Sequence, residues 1–500
     1  MTAIRNDARL EDAWLGIDLG TQGVRVVVAT SGGGLLGEGS CPLTSHRHGD
    51  HHEQDPGTWW PAVRTAIDRA RAAGADLRRV QGIAVDATSG TLTMLDRHGL
   101  PATPALMYDD GRAAAEVEHV NAAGEQQWAK AGYQRMQRSW ALPKLRWVLN
   151  HHPHAVENGW RLAHQSDVVN RRLVGHEVPT DTSNALKTGA DAAQVAWPET
   201  VLAALEIPRA VLPDLVLPGT VIGRVCATAA AETGLTEGTA VVAGMTDGCA
   251  AQLGSGATAV GSWNSVMGTT LVLKGVTHDL LQDPHGVVYS HRSPSGHWLP
   301  GGASSVGAGL VAREFADADL DRLTREAAAL LPTDLLRYPL VSPGERFPFL
   351  APDAQAFGSR EPATRAESFA ALLQGAAYVE RLCFDYLDLL GAPTDGAVIL
   401  TGGATRNPLW NQLRADVLGR PVTLPRHAQP ALGMAVLAAS SRAPLDSAAA
   451  AMVRLDRTIE PRRSVGHRHE EGYLRLLDLL VQRGWLPGVV AAHAQERTAP

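Results

Sequence analysis

The 500-residue sequence predicts an α/β protein made of two similarly built domains. Three observations carry that expectation. The chain is too long for one ordinary hydrophobic core, so at least two domains are expected. Short β-branched runs alternate with segments of helical period along most of its length. The strand, Gly-Thr turn and strand of residues 14–30 return in the same layout at 262–275. A hairpin of this kind at the start of each half suggests a duplicated fold with a cleft between the copies.

The first hairpin begins with Leu15 to Ala29, LGIDLGTQGVRVVVA, one aspartate between an apolar run and a glycine turn. Glycines 16, 20 and 23 suggest a backbone able to approach a phosphate. A dinucleotide-binding turn or a P-loop must open into a helix here. Instead VRVVVAT is a β-branched strand followed by SGGG, and the chain has neither GxGxxG nor GK[ST] at this point. The turn therefore closes a hairpin.

The segment PGTWWPAVRTAIDRARAAGA (56–75) has helical spacing and an early proline. VQGIAVDAT (80–88) reads as a strand that ends on Thr88-Ser89-Gly90, and TLTMLD starts another. Helical stretches follow near 112–130 and 138–150. TAVVAGMTDGCAAQLGSGA (239–257) is a buried-type strand ending at Asp247-Gly248, where small helix-forming residues begin. SWNSVMGTTLVLKG is the second hairpin. GAVILTGGATRNPLWNQLRADVLG (396–419) reads as strand, glycine turn and helix. Domains are expected at 1–254 and 255–487, with 488–500 a frayed, disordered tail.

A 45% hydrophobic and 19% charged composition is that of a soluble globular protein, and the net charge of −7 leaves no basic footprint for nucleic acid or anionic membrane. Cysteines 41, 226, 249 and 383 are scattered, which argues against a disulfide framework or a Cys-based zinc site and fits a reducing compartment. No run approaches a membrane span. A cytoplasmic location is expected. SHRHGDHHEQD (45–55) carries several histidines, but their compact spacing suits a solvated loop better than a tetrahedral metal site. Trp59 and Trp60 are expected to pack in the core.

In order along the chain, GIDLGTQGVR, EQDPGTWW (53–60), YDDGRAAAE (108–116), LPKLRWVLNHHP (142–153), TDTSNALKTG (180–189), AGMTDG (243–248), MGTT (267–270), TGGATRNPLWNQLRADVLG (401–419) and ALGMAVLAA (431–439) form a specific set. With it the chain resembles the FGGY carbohydrate kinases, of the actin/hexokinase/Hsp70-like ATPase superfamily. The resemblance implies two ribonuclease H-like (actin-like ATPase) domains around a cleft. DATSGTLTMLD (86–96), GVVYSHRSPSGHWLPGGASS (286–305) and YPLVSPGERFPF (338–349) look most like the D-ribulokinase-like branch of cyanobacteria and plants. Xylulokinases and glycerol kinases usually carry a glutamine-centred motif where this chain has Thr88-Ser89-Gly90. Tyr108 stands where the family commonly has tryptophan.

The resemblance implies an ATP-dependent transferase acting on an alcohol group, with D-ribulose as the leading acceptor. D-xylulose, L-ribulose, ribitol or a heptulose are alternatives, and a non-catalytic sugar or nucleotide sensor on the same scaffold is a further one. Phosphoryl transfer needs a phosphate cradle, a metal and a positioned base. Gly20, Thr21, Gln22 and Gly23 are expected at the ATP phosphates, with Gly268, Thr269 and Thr270 as the second jaw. Gly307 and the Gly402-Gly403-Ala404 turn with Asn407 and neighbouring Asn411 are expected at the nucleotide. Asp18 suits Mg²⁺ held through water, and is also expected near the sugar. Asp247 matches the family's catalytic aspartate and would act as general base, at a helix N-terminus that favours its charged form. Thr88, Ser89, Asp110 and Arg112 are expected sugar contacts, Asp110 before Asp109. The expected partners are sugar and ATP alone, with neither nucleic acid nor membrane, and the expected assembly is a monomer or homodimer.

Overall fold

The structure, a computed structural model, describes residues 11–498. The chain divides into two compact units. Unit 1 comprises the chain through Gly124, Met136–Gly254 and Gln429–Arg454; unit 2 comprises Glu125–Arg135, Ser255–Ala428 and the chain from Leu455 onward.

Unit 1 is built on strands β1 (Ala13–Leu19), β2 (Gly23–Thr30), β3 (Leu35–Pro42), β4 (Val80–Ala87), β5 (Val221–Arg224) and β6 (Ala240–Val242). Their order in the sheet is β5-β6-β4-β1-β2-β3. β1 and β2 form the expected antiparallel hairpin, with Asp18 opposite Arg25 and Leu19 opposite Val24. β4 lies parallel to β1 on its other side, and β6 parallel to β4. Every residue of β1 is buried, as a strand covered on both faces requires. One cover is helix Trp59–Ala72, which brings Trp59, Val63 and Ile67 into a core with Ile17, Val26 and Val85. Trp59 and Trp60 pack there as expected, and Trp59 Nε1 donates to Gln54 Oε1 at 2.8 Å.

The other cover comes from far along the chain. Helix Pro430–Ala439 packs on β1 and β4, so closely that a Cβ at Gly16 would stand 1.7 Å from the Ala431 carbonyl oxygen. The sequence pattern 431–439 therefore belongs with unit 1, not with the second domain that adjacency in sequence suggested.

Unit 2 is built on β7 (Trp263–Met267), β8 (Leu271–Gly275), β9 (Tyr289–Arg292), β10 (Trp298–Ser304), β11 (Val398–Thr401), β12 (Val422–Pro425) and β13 (Leu455–Ile459). The sheet order is β9-β10-β8-β7-β11-β12-β13. Its central run β10-β8-β7-β11-β12 repeats β3-β2-β1-β4-β6 of unit 1, two antiparallel pairings followed by two parallel ones. This is the duplication anticipated from the two Gly-Thr hairpins. The 25-residue helix Arg365–Leu389 starts at Thr364, whose hydroxyl accepts from the Glu367 N–H at 3.0 Å, and is buried along most of its length.

Residues 488–496 are not a frayed tail. They form helix Gly488–Glu496, whose Val490, Ala491 and Ala494 join the core of unit 2. The histidine-rich segment is likewise ordered: His46–His48 and His51–Gln54 pair as a hairpin, turning at Gly49 with φ +57°. His52 is 1% exposed, with its Nδ1 against the Asp109 carboxylate, so it is a packed residue and not part of a solvated loop. No helix among the described residues is long and apolar enough to cross a membrane.

Candidate active site

Parallel pairing of β1 and β4 sets Asp18 directly beside Asp86, and the bridge between Ala87 and Thr246 brings the Asp247 segment alongside. Three aspartates thus gather at the ends of adjacent strands of one sheet. Asp86 is fully buried, and neither of its oxygens meets an N–H or O–H donor among the described residues. The polar group facing it is the Asp18 carboxyl, an acceptor like itself, so the two bond only while one carries a proton. Burial, and then the charges of Asp18 and Asp247, push the Asp86 carboxyl well above the usual carboxylate range. Burial also raises Asp18, against the pull of Arg25, whose Nη1 lies 3.2 Å from Oδ2. Asp86 was not among the residues singled out from sequence; a carboxylate at a strand end facing the first one was its signal.

Asp247 opens helix Asp247–Ser255, and the N–H of Gly248 donates to its Oδ1 at 2.7 Å. The dipole of that helix favours a negative charge there, as expected. The neighbouring Thr246 N–H donates to Ser183 Oγ at 3.1 Å, which ties this turn to the segment 182–185.

The turn Gly20–Gly23 is closed by a bond from Gly20 N–H to the Gly23 carbonyl at 3.1 Å. A Cβ at Gly20 would stand 3.5 Å from Asp18 Oδ1, so the turn and the carboxylate share one surface. Gln54 Nε2 braces it by donating to the Thr21 carbonyl at 2.6 Å, while Gln22 is exposed.

Thr88 and Ser89 divide their duties. The Thr88 backbone N–H can only donate, so its partner at 3.2 Å is the amide oxygen of Gln165, which fixes that amide's orientation. The Thr88 hydroxyl donates to the same oxygen at 2.6 Å and is therefore left to accept from the Thr91 hydroxyl at 2.7 Å. Its proton is committed, and one lone pair remains. Ser89 Oγ, by contrast, is enclosed and meets no partner among the described residues. Gln165 carried no sequence signal, since its role depends on strand ends 77 residues apart.

Asp110 is fully buried and its oxygens are taken up: Oδ1 by Arg112 Nε at 2.9 Å, Oδ2 by Arg112 Nη2 at 2.8 Å and the His52 N–H at 2.7 Å. Arg112 also meets Glu53 at 2.7 Å and lies over the Trp147 ring. Asp109 is the more accessible of the two, and although part burial opposes it, His52 and Arg47 hold its carboxyl below the usual range. Lys144, fully buried and pushed down to about 7 by that burial, donates to the carbonyls of Gly90 (2.6 Å) and Met107 (2.7 Å). It thereby links the loops carrying Ser89 and Asp110.

In unit 2 the turns expected at the nucleotide come together. Gly402, at φ +88°, leaves only 2.6 Å between a built Cβ and the Met267 carbonyl oxygen, which puts it against Gly268. Gly307 is equally close to the Thr269–Thr270 backbone, and Ala308 N–H donates to the Gly268 carbonyl at 2.9 Å. Thr269 and Gly403 are exposed, with nothing within 4 Å of a Cβ at Gly403, while Ala404 is buried. Asn407 caps helix Pro408–Leu418 and donates to the Thr324 hydroxyl at 3.0 Å; Asn411 Nδ2 donates to the Thr405 carbonyl at 2.8 Å. Both side chains hold the turn in shape.

The donor set of unit 1 suits a hard cation. Asp18 and Asp86 offer carboxylate oxygens side by side, two of them without donors, which is the chemistry Mg²⁺ takes directly or through its waters.

The models of the FGGY family of carbohydrate kinases match this chain twice, the N-terminal domain at residues 13–254 and the C-terminal domain at 263–442. A xylulose kinase of Streptomyces rubiginosus is 30% identical over 477 residues, covering 93% of this chain and 95% of that protein. Among solved structures, a xylulose kinase of Brucella ovis aligns with a TM-score of 0.86 at 26% identity, over 94% of this chain and 99% of its own. The xylulose kinase of Rhodospirillum rubrum aligns with a TM-score of 0.83 at 26% identity, over 94% and 98%.

Proposed function

This chain belongs to the FGGY family of carbohydrate kinases, and from that premise we propose that it phosphorylates the terminal hydroxyl of a ketopentose, D-ribulose giving D-ribulose 5-phosphate. FGGY kinases take the phosphoryl group from ATP. The observation that carries the reading is the set Asp18, Asp86 and Asp247 at adjoining strand ends of unit 1.

In this reading Asp247 accepts the proton of the C5 hydroxyl, and the freed oxygen attacks the γ-phosphorus in line as ADP leaves. Arg25 and the helix dipole keep Asp18 and Asp247, respectively, in reach of their charged forms. Mg²⁺, held by Asp18 and Asp86, would spread the charge of the transferring phosphoryl group. Ser89 contributes the hydroxyl that meets the ketose, while Thr88 and Gln165 hold its turn. Gly20–Gly23 and Gly268–Thr270 offer backbone N–H groups to the phosphates, and Gly402–Ala404 with Gly307 a bulk-free surface to the nucleoside.

D-xylulose is the competing acceptor, since the relatives reported above are named xylulose kinases. The Thr88-Ser89-Gly90 turn favours D-ribulose over it. ADP release measured across D-ribulose, D-xylulose, L-ribulose, ribitol and a heptulose tests this. Highest kcat/KM is expected for D-ribulose; a D-xylulose value ten times greater would reassign the acceptor, and ATP hydrolysis indifferent to every sugar would end the kinase reading.

A further inference from the structure

Unit 2 contains a cavity of about 1040 Å³ apart from the residues assigned above to the nucleotide. Its walls are the second half of helix Arg365–Leu389, the segment Ala392–Asp395, the end of helix Pro408–Leu418 and the first turns of helix Arg463–Gln482. Ala392–Asp395 precede β11 and Gly402 follows it. Asn407 likewise begins helix Pro408–Leu418 and Arg420 follows its end, some 11 residues or about 16 Å later. Cavity and nucleotide turn lie at opposite ends of the same strand and helix.

Most of the charge around the cavity is internally matched. Asp385 accepts from the Tyr473 hydroxyl at 2.5 Å and from Arg497 Nε at 2.9 Å. Asp388 takes His493 at 2.9 Å and Arg497, Asp416 takes the side chain and N–H of Arg462 at 2.7 Å, and Glu470 takes His467 at 3.2 Å. Three lining groups are not matched. Arg420 makes no hydrogen bond or ion pair among the described residues; its guanidinium lies 4.5 Å from the Phe384 ring centroid, and burial lowers its pKa to about 10. Arg463 makes none either, and Asp395, which acts on Arg420 through its charge, makes no hydrogen bond or ion pair among the described residues. A half-buried guanidinium with five N–H groups and no acceptor is an incomplete arrangement in a protein. The 20-residue helix Arg463–Gln482 adds its N-terminal end, because Arg463, Gly466 and His467 line the same wall.

Two guanidiniums and one carboxylate without hydrogen-bond partners among the described residues ask for a ligand with a dianionic group and a hydrogen-bond donor. We propose that this cavity binds a phosphorylated sugar, its phosphate held by Arg420 and Arg463 and a hydroxyl by Asp395. None of the residues lining the cavity is among those assigned above to the acceptor or the nucleotide, so this is a second site.

Calorimetric titration of the full chain with D-ribose 5-phosphate tests it, with D-ribose, inorganic phosphate and AMP as parallel probes. Arg420→Met and Arg463→Met are each expected to weaken D-ribose 5-phosphate about tenfold, leaving kcat and both KM values within twofold. Asp395→Asn should weaken the sugar phosphate and leave inorganic phosphate unchanged, and D-ribose should not bind. Arg463 is exposed, so that variant reports even where Arg420→Met disturbs packing on Phe384. Unchanged affinity in Arg463→Met, loss in Ser89→Ala instead, or inorganic phosphate or AMP binding as tightly as the sugar phosphate would each overturn the assignment.

Discussion

Units 1 and 2 carry the same hairpin at the same place in the same strand order, yet load it with different residues. Two positions before the turn, unit 1 has Asp18 paired across the parallel strands with Asp86, and unit 2 has Val266 paired with Thr401. Unit 2 does bury charge beside its hairpin strand, but in matched form. Arg414 and Glu380, both fully buried, meet through two bonds of 2.7 Å, and each also contacts the Ser265 hydroxyl, at 2.8 and 2.6 Å. A matched pair fixes structure. Two adjacent carboxylates with only a largely exposed arginine for company cost folding free energy and offer a cation its ligands. The sheet is common property of the two units; the unmatched acids beside the hairpin strand belong to one of them.

Four substitutions would break or sharpen that contrast. Asp247→Ala should lower kcat by about 10²–10⁴-fold with the KM for ATP nearly unchanged, because only the base is lost; steady-state ADP release measures both, and near-normal turnover would remove Asp247 from the chemistry. Arg414→Met should leave Glu380 buried and unmatched, at a cost of about 3–5 kcal/mol in chemical denaturation. A cost below about 1 kcal/mol would mean that the unit 2 pair is not what holds Ser265 and its strand.

The third concerns another buried acid of unit 1, Asp181, whose partners are the amide and N–H of Asn184 and whose carboxyl burial pushes up to about 6. With the folded value raised above the ordinary 3.8, the folded state holds a proton that the unfolded state has lost between about pH 4 and 6. Stability therefore falls as pH rises through that window, by about 1–3 kcal/mol from this group. Asp181→Asn should flatten that part of the profile of melting temperature against pH; an unchanged slope would show that Asp181 is ionised throughout. The smallest effect is expected of Ser89→Ala, about tenfold on the ketose KM and little on that for ATP, as befits one hydrogen bond. Equal shifts in both would assign Ser89 to folding and not to the acceptor.

The hairpins and the duplicated core were legible in sequence because they rest on local pattern: a β-branched run on each side of a Gly-Thr turn, and helical period in 56–75. Asp18 and Asp247 stood out for the same reason, each at the end of an apolar run. What escaped is set by register and by distance along the chain. Asp86 matters because β4 lies parallel to β1 with Asp86 beside Asp18, and Gln165 because its amide oxygen meets Thr88. Asp110 looked like an open polar contact in a charged turn, but the backbone of His52 and the side chain of Arg112 enclose it. The ends of the chain misled in another way. Residues 488–496 show little periodicity because only three small or branched side chains need to face the core.

The return of helix Pro430–Ala439 to β1 has a consequence for how the protein is made. The sheet of unit 1 is translated first, but the helix that covers Gly16 leaves the ribosome only after the larger part of unit 2. At about 5–20 residues per second, the interval from residue 254 to residue 439 is roughly 10–40 s. During that time the nascent sheet presents an apolar face with nothing of its own to cover it. Termination at residue 254 would make the exposure permanent, and such a fragment should be recovered aggregated or bound to chaperones.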